Sequence, residues 1–366
     1  MKKINNQFVI LQCIAITLVV IGHSGGIMLF SEWFPIYSFH MPLFIFISGY
    51  FFKEENDTNL LMFIKKKFKR LMIPFFVWNL FYGILAQIIS AHGIYEFVSK
   101  INLRSILIEP FINGHQFAIN VSSWFVPTIF LVQIIFVLLT RIMKEFKINN
   151  YIIKNITFFI IGLFSVILVG KGYIGGIKLV ISRILFLLPI YYLGVVYNQK
   201  LEKKDTLNNM IYFIVLFFIQ YILIRRYENL AFSVVWMDGF NKENIILPYI
   251  TSITGIMFWL RVSKILVKSL SESRIIEYIG RNTWTVMMHH QIIFFIINSF
   301  FWILSNIIKL VNFDYNLYIN DIWYTYNFGD DRFLLVYVIL GMGIPLTLKY
   351  LWEVLKDKHN TSKIKS

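Results

Sequence analysis

Long apolar segments follow one another along this chain of 366 residues. A helix needs about 20 mainly apolar residues to cross the hydrocarbon core of a bilayer. Ten segments meet this requirement, at 8–28, 33–52, 71–91, 124–141, 152–170, 178–197, 209–225, 244–261, 282–307 and 333–352. The segment 178–197 is the least conventional because it contains Arg183 and Pro189. The sequence therefore predicts an all-α polytopic membrane helix bundle of about ten transmembrane helices, forming a single domain over residues 1–366.

The composition excludes two other classes of protein. Hydrophobic residues make up 57% of the chain and charged residues only 15%, whereas a soluble domain has about 25% charged residues. The same apolar content excludes a disordered chain. The first apolar segment is too long for a cleavable signal peptide, so we expect it to remain as an anchor. A single cysteine, Cys13, excludes an intramolecular disulfide and a cysteine-rich metal site.

The net charge of +15 is explained mainly by topology. If the amino terminus is cytoplasmic, 25 of the 35 lysines and arginines fall on segments at the cytoplasmic side. Basic residues concentrate on that side of membrane proteins. We therefore predict that both termini are cytoplasmic (N-in/C-in). A basic cytoplasmic face suits the anionic headgroups of membrane lipids or a phosphate-bearing cofactor, and we expect no nucleic acid as a partner.

Few titratable side chains fall within the predicted spans, and such residues are candidates for function. They are His23, His40, His289, His290 and Arg183. Because the first two spans are joined by a short loop, His23 and His40 are predicted to lie in the same outer layer of the membrane. The alternatives are that these histidines only bond backbone groups and hold helices together, or that they bind a metal. The sequence has no metal-ligand spacing, so no metal is expected.

Two further groups of polar residues have open interpretations. The basic cluster Lys65, Lys66, Lys67, Lys69 and Arg70 precedes the third span. It serves either as a positive-inside anchor or as a phosphate clamp, in which Lys67 and Arg70 share a helix face. The second group is His115 and Asn120, beside Trp124, in or next to a loop at 101–120 that is predicted to dip into the membrane. These residues are either acceptor contacts or ordinary loop and interfacial residues.

Several motifs occur in order along the chain. They are Ile14–His23, Phe39–Tyr50 with its Phe-His-Met-Pro sequence, Lys67–Pro74, Ser123–Pro127, and Ile279–Trp284 followed by His289 and His290. Together they resemble the acyltransferase-3 family of integral membrane acyltransferases, and most closely its fucose 4-O-acetylase-like branch. The resemblance implies transfer of an acyl group, usually acetyl, from acyl-coenzyme A to a hydroxyl of a cell-surface or lipid-linked glycan. It also implies a multi-pass protein of a bacterial cytoplasmic membrane.

The resemblance also assigns roles to particular residues. The family's essential histidine corresponds to His23. Its Arg-x-x-Arg motif, which is implicated with the acyl donor, reads Lys67-Phe68-Lys69-Arg70 here, so lysine replaces the first arginine. Many members have a basic residue eleven positions before the essential histidine, whereas this chain has Gln12. A role for that basic residue is therefore not carried over.

The chemistry of such a transfer needs a base for the sugar hydroxyl, and histidine has a suitable pKa. His23 is the candidate base, with His40 as a second catalytic candidate. Contacts to the acceptor or the oxyanion are assigned to His115, Asn120, Trp124, Asn282 and His290. Glu32 and Glu109 are the nearest carboxylates that can orient His23, and both are predicted at the outer side.

One geometric problem stays open in the sequence. The donor is cytoplasmic, whereas His23 is predicted far up the first helix. Either the pantetheine arm threads into the bundle for direct transfer, or an acyl-enzyme on His23 or Ser48 relays the group. A multi-helix glycolipid or small-molecule exporter or flippase is the alternative function. The chain has no internal repeat of the kind that many transporters show.

Overall fold

The computed structural model describes residues 5–25, 30–53, 59–96, 100–114, 117–308 and 312–365, with side chains described as far as 358. These residues form helices joined by turns and loops, and no strand is found among them. An isolated bridge pairs Ser233 with Asp238. The predicted all-α class is confirmed.

The helices are numbered here in chain order. They are α1 (Asn6–His23), α2 (Ile36–Tyr50), α3 (Leu60–Ser90), α4 (Leu103–Leu107), α5 (Phe125–Glu145), α6 (Tyr151–Gly170), α7 (Ile177–Val196), α8 (Asn209–Arg226), α9 (Leu247–Leu270), α10 (Arg274–Arg281), α11 (Thr283–Ser305), α12 (Tyr315–Asn320) and α13 (Leu334–Lys365). Within the described residues, nine of them are long and apolar enough to cross a membrane. The remaining predicted span, at 33–52, corresponds to α2, whose 15 residues rise only about 22 Å.

The helix boundaries differ from the predicted spans at several points. The predicted end of the first span, at 28, lies outside the described residues, and α1 ends at His23. Helix α3 begins at Leu60 instead of 71 and continues through a π-helical turn at Phe68–Met72. The basic cluster therefore lies within a helix and does not precede one. The predicted loop at 101–120 contains α4 and ends in a buried 3-10 segment, Ala118–Trp124.

Side-chain caps explain where several helices begin. The residue before the helix accepts a hydrogen bond from a backbone amide of the first turn, which has no partner within the helix. Asn5, Asn59, Asn150, Asn208 and Ser273 do this for α1, α3, α6, α8 and α10. All five helices begin on segments that the charge pattern predicts to be cytoplasmic.

Helix α1 lies at the centre of the bundle. It packs against α2, α9, α10, α11 and α13, while α2 packs in turn against α7 and α9. One very close crossing joins α2 to α7. A Cβ on Gly49 would overlap the carbonyl oxygen of Tyr191, and a Cβ on Gly194 would overlap that of Phe46. The two glycines therefore allow backbone-to-backbone contact, as small residues do between membrane helices.

Hydrogen bonds identify the chain segments that share one end of the bundle. Asn5 donates to the Tyr50 hydroxyl, which lies 2.9 Å from the Glu202 carboxylate. On α10, the Tyr278 hydroxyl donates to Glu353 of α13. Because Gly280 of α10 contacts Val9 of α1, the start of α1 and this part of α13 lie at the same end. We call it the basic end, because only nine residues (51–59) separate the end of α2 there from the start of α3, which carries the basic cluster with Lys67 and Arg70 in its first turns. The side of the membrane that it faces stays a prediction.

The α2–α7 crossing can be tested by adding one methyl group. We expect Gly194→Ala to lower the melting temperature, because overpacking a tight contact costs about 1–3 kcal/mol. In a helix without such a contact, Gly→Ala is favourable by up to about 1 kcal/mol. Gly343→Ala on α13 is the matched control, since nothing lies within 4 Å of its Cβ position. Thermal unfolding in one detergent compares the two; a Gly194→Ala protein as stable as the control would contradict the crossing.

Candidate active site

A cavity of about 660 Å³ lies between α1, α2, α3, α5 and α11 and is covered by loop segments before α9 and α13. We call it the central cavity. On α1 it is lined by Gln12, Ile16, Val19 and His23, a spacing that places these side chains on one helix face. From Gln12 to His23 a helix rises about 16 Å. The cavity therefore follows α1 over at least this length.

The basic cluster contributes two residues to the central cavity. Of its five basic side chains, all of them described, Lys67 and Arg70 line the cavity, as does Leu71. Lys67 is half-buried, with its ammonium 5.4 Å from the centre of the Phe63 ring, whereas Arg70 is exposed. The π-helical turn at Phe68–Met72 follows directly, and such turns often occur at functional sites. The two residues that the sequence predicts to share a face thus meet at one end of the cavity.

The middle of the central cavity is mainly apolar. Val19 on α1 and Phe44 and Ile47 on α2 face it. Two polar side chains lie among them, and the amide Nε2 of Gln133 donates a 2.7 Å hydrogen bond to the Ser48 hydroxyl. This part of the cavity suits an uncharged chain that has few hydrogen-bonding groups.

The predicted pair His23 and His40 lines the other end of the central cavity. His23 Nδ1 lies 2.7 Å from Nε2 of His290, and the two rings are nearly parallel with centres 5.0 Å apart. His290 is fully buried, and its Nδ1 lies 2.9 Å from the carbonyl oxygen of Val286. His40 Nδ1 lies 2.7 Å from the carbonyl oxygen of Ile36. Three of the predicted residues are thus brought together.

Loop residues that the sequence analysis did not identify cover this end. Trp323 packs against His23, with ring centres 4.9 Å apart. The turn 233–238 is closed by two 3.0 Å backbone hydrogen bonds between Ser233 and Asp238, and it presents Trp236 and Asp238 to the cavity. The Ser38 hydroxyl attaches the chain before this turn by bonding the Leu230 carbonyl at 2.5 Å. These residues carry no local motif, so no sequence pattern indicates that they reach the cavity.

The remaining candidates occupy other positions. Trp124 lines the central cavity, and the guanidinium of Arg183 lies 4.5 Å from the centre of its ring. Asn120 is buried beside Asn79 at 3.5 Å and does not line this cavity. Asn282 lies near the basic end, where it donates to the Tyr278 carbonyl and accepts from Lys349. His115 lies outside the described residues.

His289 points away from the pair formed by His23 and His290. The Tyr82 hydroxyl on α3 lies 2.6 Å from its Nδ1, and the Trp78 ring packs against it edge-on. The two adjacent histidines of α11 therefore have different partners: His289 contacts Tyr82 on α3, and His290 contacts His23 on α1. In the part of the chain that the structure describes, no group of three or more His, Cys, Asp or Glu residues is placed to hold a metal ion.

Comparison with known proteins gives one result. The family model described as an acyltransferase domain matches residues 5–325, which is nearly the whole chain and includes the helices that form the central cavity. No curated protein and no solved structure gives a match. Together, the multi-pass helical bundle and the extent of this match show that the chain belongs to the acyltransferase-3 family of membrane acyltransferases.

Proposed function

We propose that this protein transfers an acetyl group from acetyl-coenzyme A to a hydroxyl of a cell-surface or lipid-linked glycan, as the fucose 4-O-acetylase-like branch does. It would act in the cytoplasmic membrane of a bacterium, with the basic end facing the cytoplasm. The observation that carries the proposal is the central cavity, which joins Lys67 and Arg70 to His23. A single cavity with a cationic end and a histidine end fits an elongated anionic donor whose reactive group is distant from its phosphates.

The donor would enter at the basic end. Arginine binds phosphate in a bidentate manner and lysine adds a point charge, so Arg70 and Lys67 suit the phosphates of coenzyme A. Neither side chain forms an ion pair with a carboxylate of the described residues. The pantetheine arm is uncharged and would lie along the apolar middle, which brings the thioester toward His23. This path supports direct transfer.

His23 would act as the general base. It takes the proton from the acceptor hydroxyl while the oxygen attacks the carbonyl carbon of the thioester. The carbon–sulfur bond then breaks, and the leaving thiolate takes the same proton from the imidazolium. The products are the acetyl ester and coenzyme A, and the histidine returns to its starting state. His40 lines the same end of the cavity and would contact the acceptor hydroxyl or the oxyanion.

An acyl-enzyme relay finds less support. A serine nucleophile needs an adjacent base to be activated. Ser48 lies among apolar residues in the middle of the cavity, where it accepts a hydrogen bond from the Gln133 amide. An amide does not act as a base toward a hydroxyl. His23 therefore fits the role of base better than Ser48 fits that of nucleophile.

The acceptor would enter at the histidine end. Trp236 and Trp323 are about half exposed there, at 48% and 38%, and the exposed Asp238 also lines this mouth. A sugar ring presents apolar C–H groups that can pack on an indole, and it presents hydroxyls that can donate to a carboxylate. This mouth suits a polyhydroxyl acceptor better than a fatty chain.

Removal of the base tests the proposed reaction itself. We expect His23→Ala to reduce transfer of radiolabelled acetyl from acetyl-coenzyme A to host glycan by about 10²- to 10⁴-fold, the usual contribution of a general base. Binding of acetyl-coenzyme A by the purified protein should persist. His92→Ala is the control, because that residue is exposed and remote from the cavity. Undiminished labelling by the His23→Ala protein would refute the proposal, and substrate export without coenzyme A would favour the exporter.

The donor site is tested by removing charge at the basic end. We expect Arg70→Gln and Lys67→Gln each to raise KM for acetyl-coenzyme A by about tenfold or more, since a charge-assisted hydrogen bond contributes about 1.5–3 kcal/mol. Lys66→Gln is the matched control, being exposed in the same helix but outside the cavity lining. Steady-state kinetics in nanodiscs measure the three variants. Equal KM values for all three would assign the cluster to membrane anchoring alone.

The acceptor mouth is tested separately. Trp236→Ala should raise the glycan concentration needed for half-maximal transfer by about five- to tenfold, because an aromatic contact of this kind contributes about 0.5–1.5 kcal/mol beyond its buried area. KM for acetyl-coenzyme A should stay unchanged. Trp352→Ala, an exposed tryptophan on α13, provides the comparison. A change in donor KM instead would place the donor, and not the acceptor, at this mouth.

A further inference from the structure

We propose that His290 is a positioning residue that holds His23 in the one tautomer able to act as base through Nε2. This inference rests on the proposed function, in which His23 takes the hydroxyl proton. It assigns to His290 a role that differs from contact with the acceptor or the oxyanion.

The hydrogen bonds around His290 determine where its proton lies. Its Nδ1 is 2.9 Å from the Val286 carbonyl oxygen, which is an acceptor only. Nδ1 must therefore carry a proton and donate. A neutral imidazole has one N–H, so the Nε2 of His290 is a bare acceptor. No ion pair with a carboxylate is found for His290 among the described residues, and a charged ring at a fully buried position would be costly.

The same reasoning then determines the tautomer of His23. Its Nδ1 lies 2.7 Å from the bare Nε2 of His290. Two bare nitrogens would repel each other at this distance, so His23 Nδ1 carries the proton and donates. Its Nε2 is consequently unprotonated. The hydrogen bond of one ring nitrogen decides the state of the other, and this state is the one that a general base requires.

Packing also restrains the orientation of both rings. His290 contacts the Phe294 ring edge-on, and its Cβ lies 3.6 Å from the Cβ position of Gly341 on α13. The His23 ring is parallel to His290 within 8° and has Trp323 4.9 Å away. The ring of His23 is therefore held by contacts from α11 and from the loop before α13.

Carboxylates usually perform this orienting role, and the two candidates from the sequence do not. Glu109 pairs with Arg104 at 2.9 Å and accepts from Asn113. Glu32 is exposed, and neither residue lines the central cavity. Among the described residues, the hydrogen-bond partner of His23 Nδ1 is the imidazole of His290. His290 in turn lies within hydrogen-bond distance of the Val286 carbonyl, so this backbone group takes the place of a carboxylate at the end of the hydrogen-bond chain from His23.

A pair of substitutions separates hydrogen-bond acceptance from mere packing. The amide oxygen of His290→Gln can replace Nε2 as an acceptor, whereas His290→Leu fills space without accepting. We expect His290→Leu to lower kcat by about 10²-fold or more, because a misplaced tautomer disables a histidine base. The KM for acetyl-coenzyme A should change less than twofold. His290→Gln should retain kcat within about tenfold of the unaltered protein.

A double variant adds a readout that a structural role would not produce. If His290 acts through His23, the His23→Ala/His290→Leu protein should be no less active than His23→Ala alone. A further additive loss would overturn the inference. Equal kcat for His290→Leu and the unaltered protein would overturn it too, as would equal losses in the Leu and Gln variants that both bind acetyl-coenzyme A.

Two controls keep this test independent of folding and of the proposed reaction. Acetyl-coenzyme A binding and the melting temperature report whether each variant is folded. If His290→Leu fails to fold, His290→Gln is compared with the shorter His290→Asn, and equal activity of these two contradicts acceptance at the Nε2 position. Full activity of His23→Ala would instead refute the proposed function, whereas an inactive His23→Ala with a fully active His290→Leu refutes only the positioning role.

Discussion

The cost of placing polar groups in hydrocarbon governs this structure. Lipid offers no hydrogen bonds, so every polar group at membrane depth must find a partner within the protein or face a cavity. The described histidines of the spans follow this rule. His40 and His290 bond carbonyl groups one turn earlier in their own helices, and His23 bonds His290. Helix α1, which ends at His23, lies at the centre of the bundle, where helices on several sides separate it from lipid.

The same constraint explains how much the sequence could predict. Runs of apolar residues identify spans because a helix has to be about 20 residues long to cross the bilayer, and each of the ten predicted segments overlaps a helix. The placement of His23 with His40 followed from the short loop between antiparallel helices. Helical spacing indicated that Lys67 and Arg70 share a face, and the resemblance to the Arg-x-x-Arg motif selected them from five neighbouring cations. Each of these features depends on the local sequence.

Other features depend on contacts between distant parts of the chain, and local patterns do not encode them. His23 and His290 are 267 residues apart, and nothing in either motif indicates that their nitrogens meet. The turn 233–238 and Trp323 reach the cavity through loops whose paths are determined by tertiary hydrogen bonds, such as that from Thr325 to the Ser24 carbonyl. The apolar pattern alone does not predict that α3 extends through a π-helical turn, because the stretch 65–70 contains five basic residues and the apolar run begins after it.

The distribution of charge along the central cavity matches the chemistry that we propose for it. Converting a thioester and a hydroxyl into an ester and a thiol changes no net charge, and the proton only moves from oxygen to sulfur by way of His23. A pair of histidines whose hydrogen-bond chain ends on a backbone carbonyl can take up and release this proton without a carboxylate. A buried carboxylate would need its own compensation at this depth. The permanent charges of Lys67 and Arg70 are placed instead at the end of the cavity where the donor's phosphates would remain. In the proposed reaction the cavity would thus separate ionic binding from neutral proton transfer, and this separation would let the reacting centre lie within the membrane protein, away from the bound phosphates.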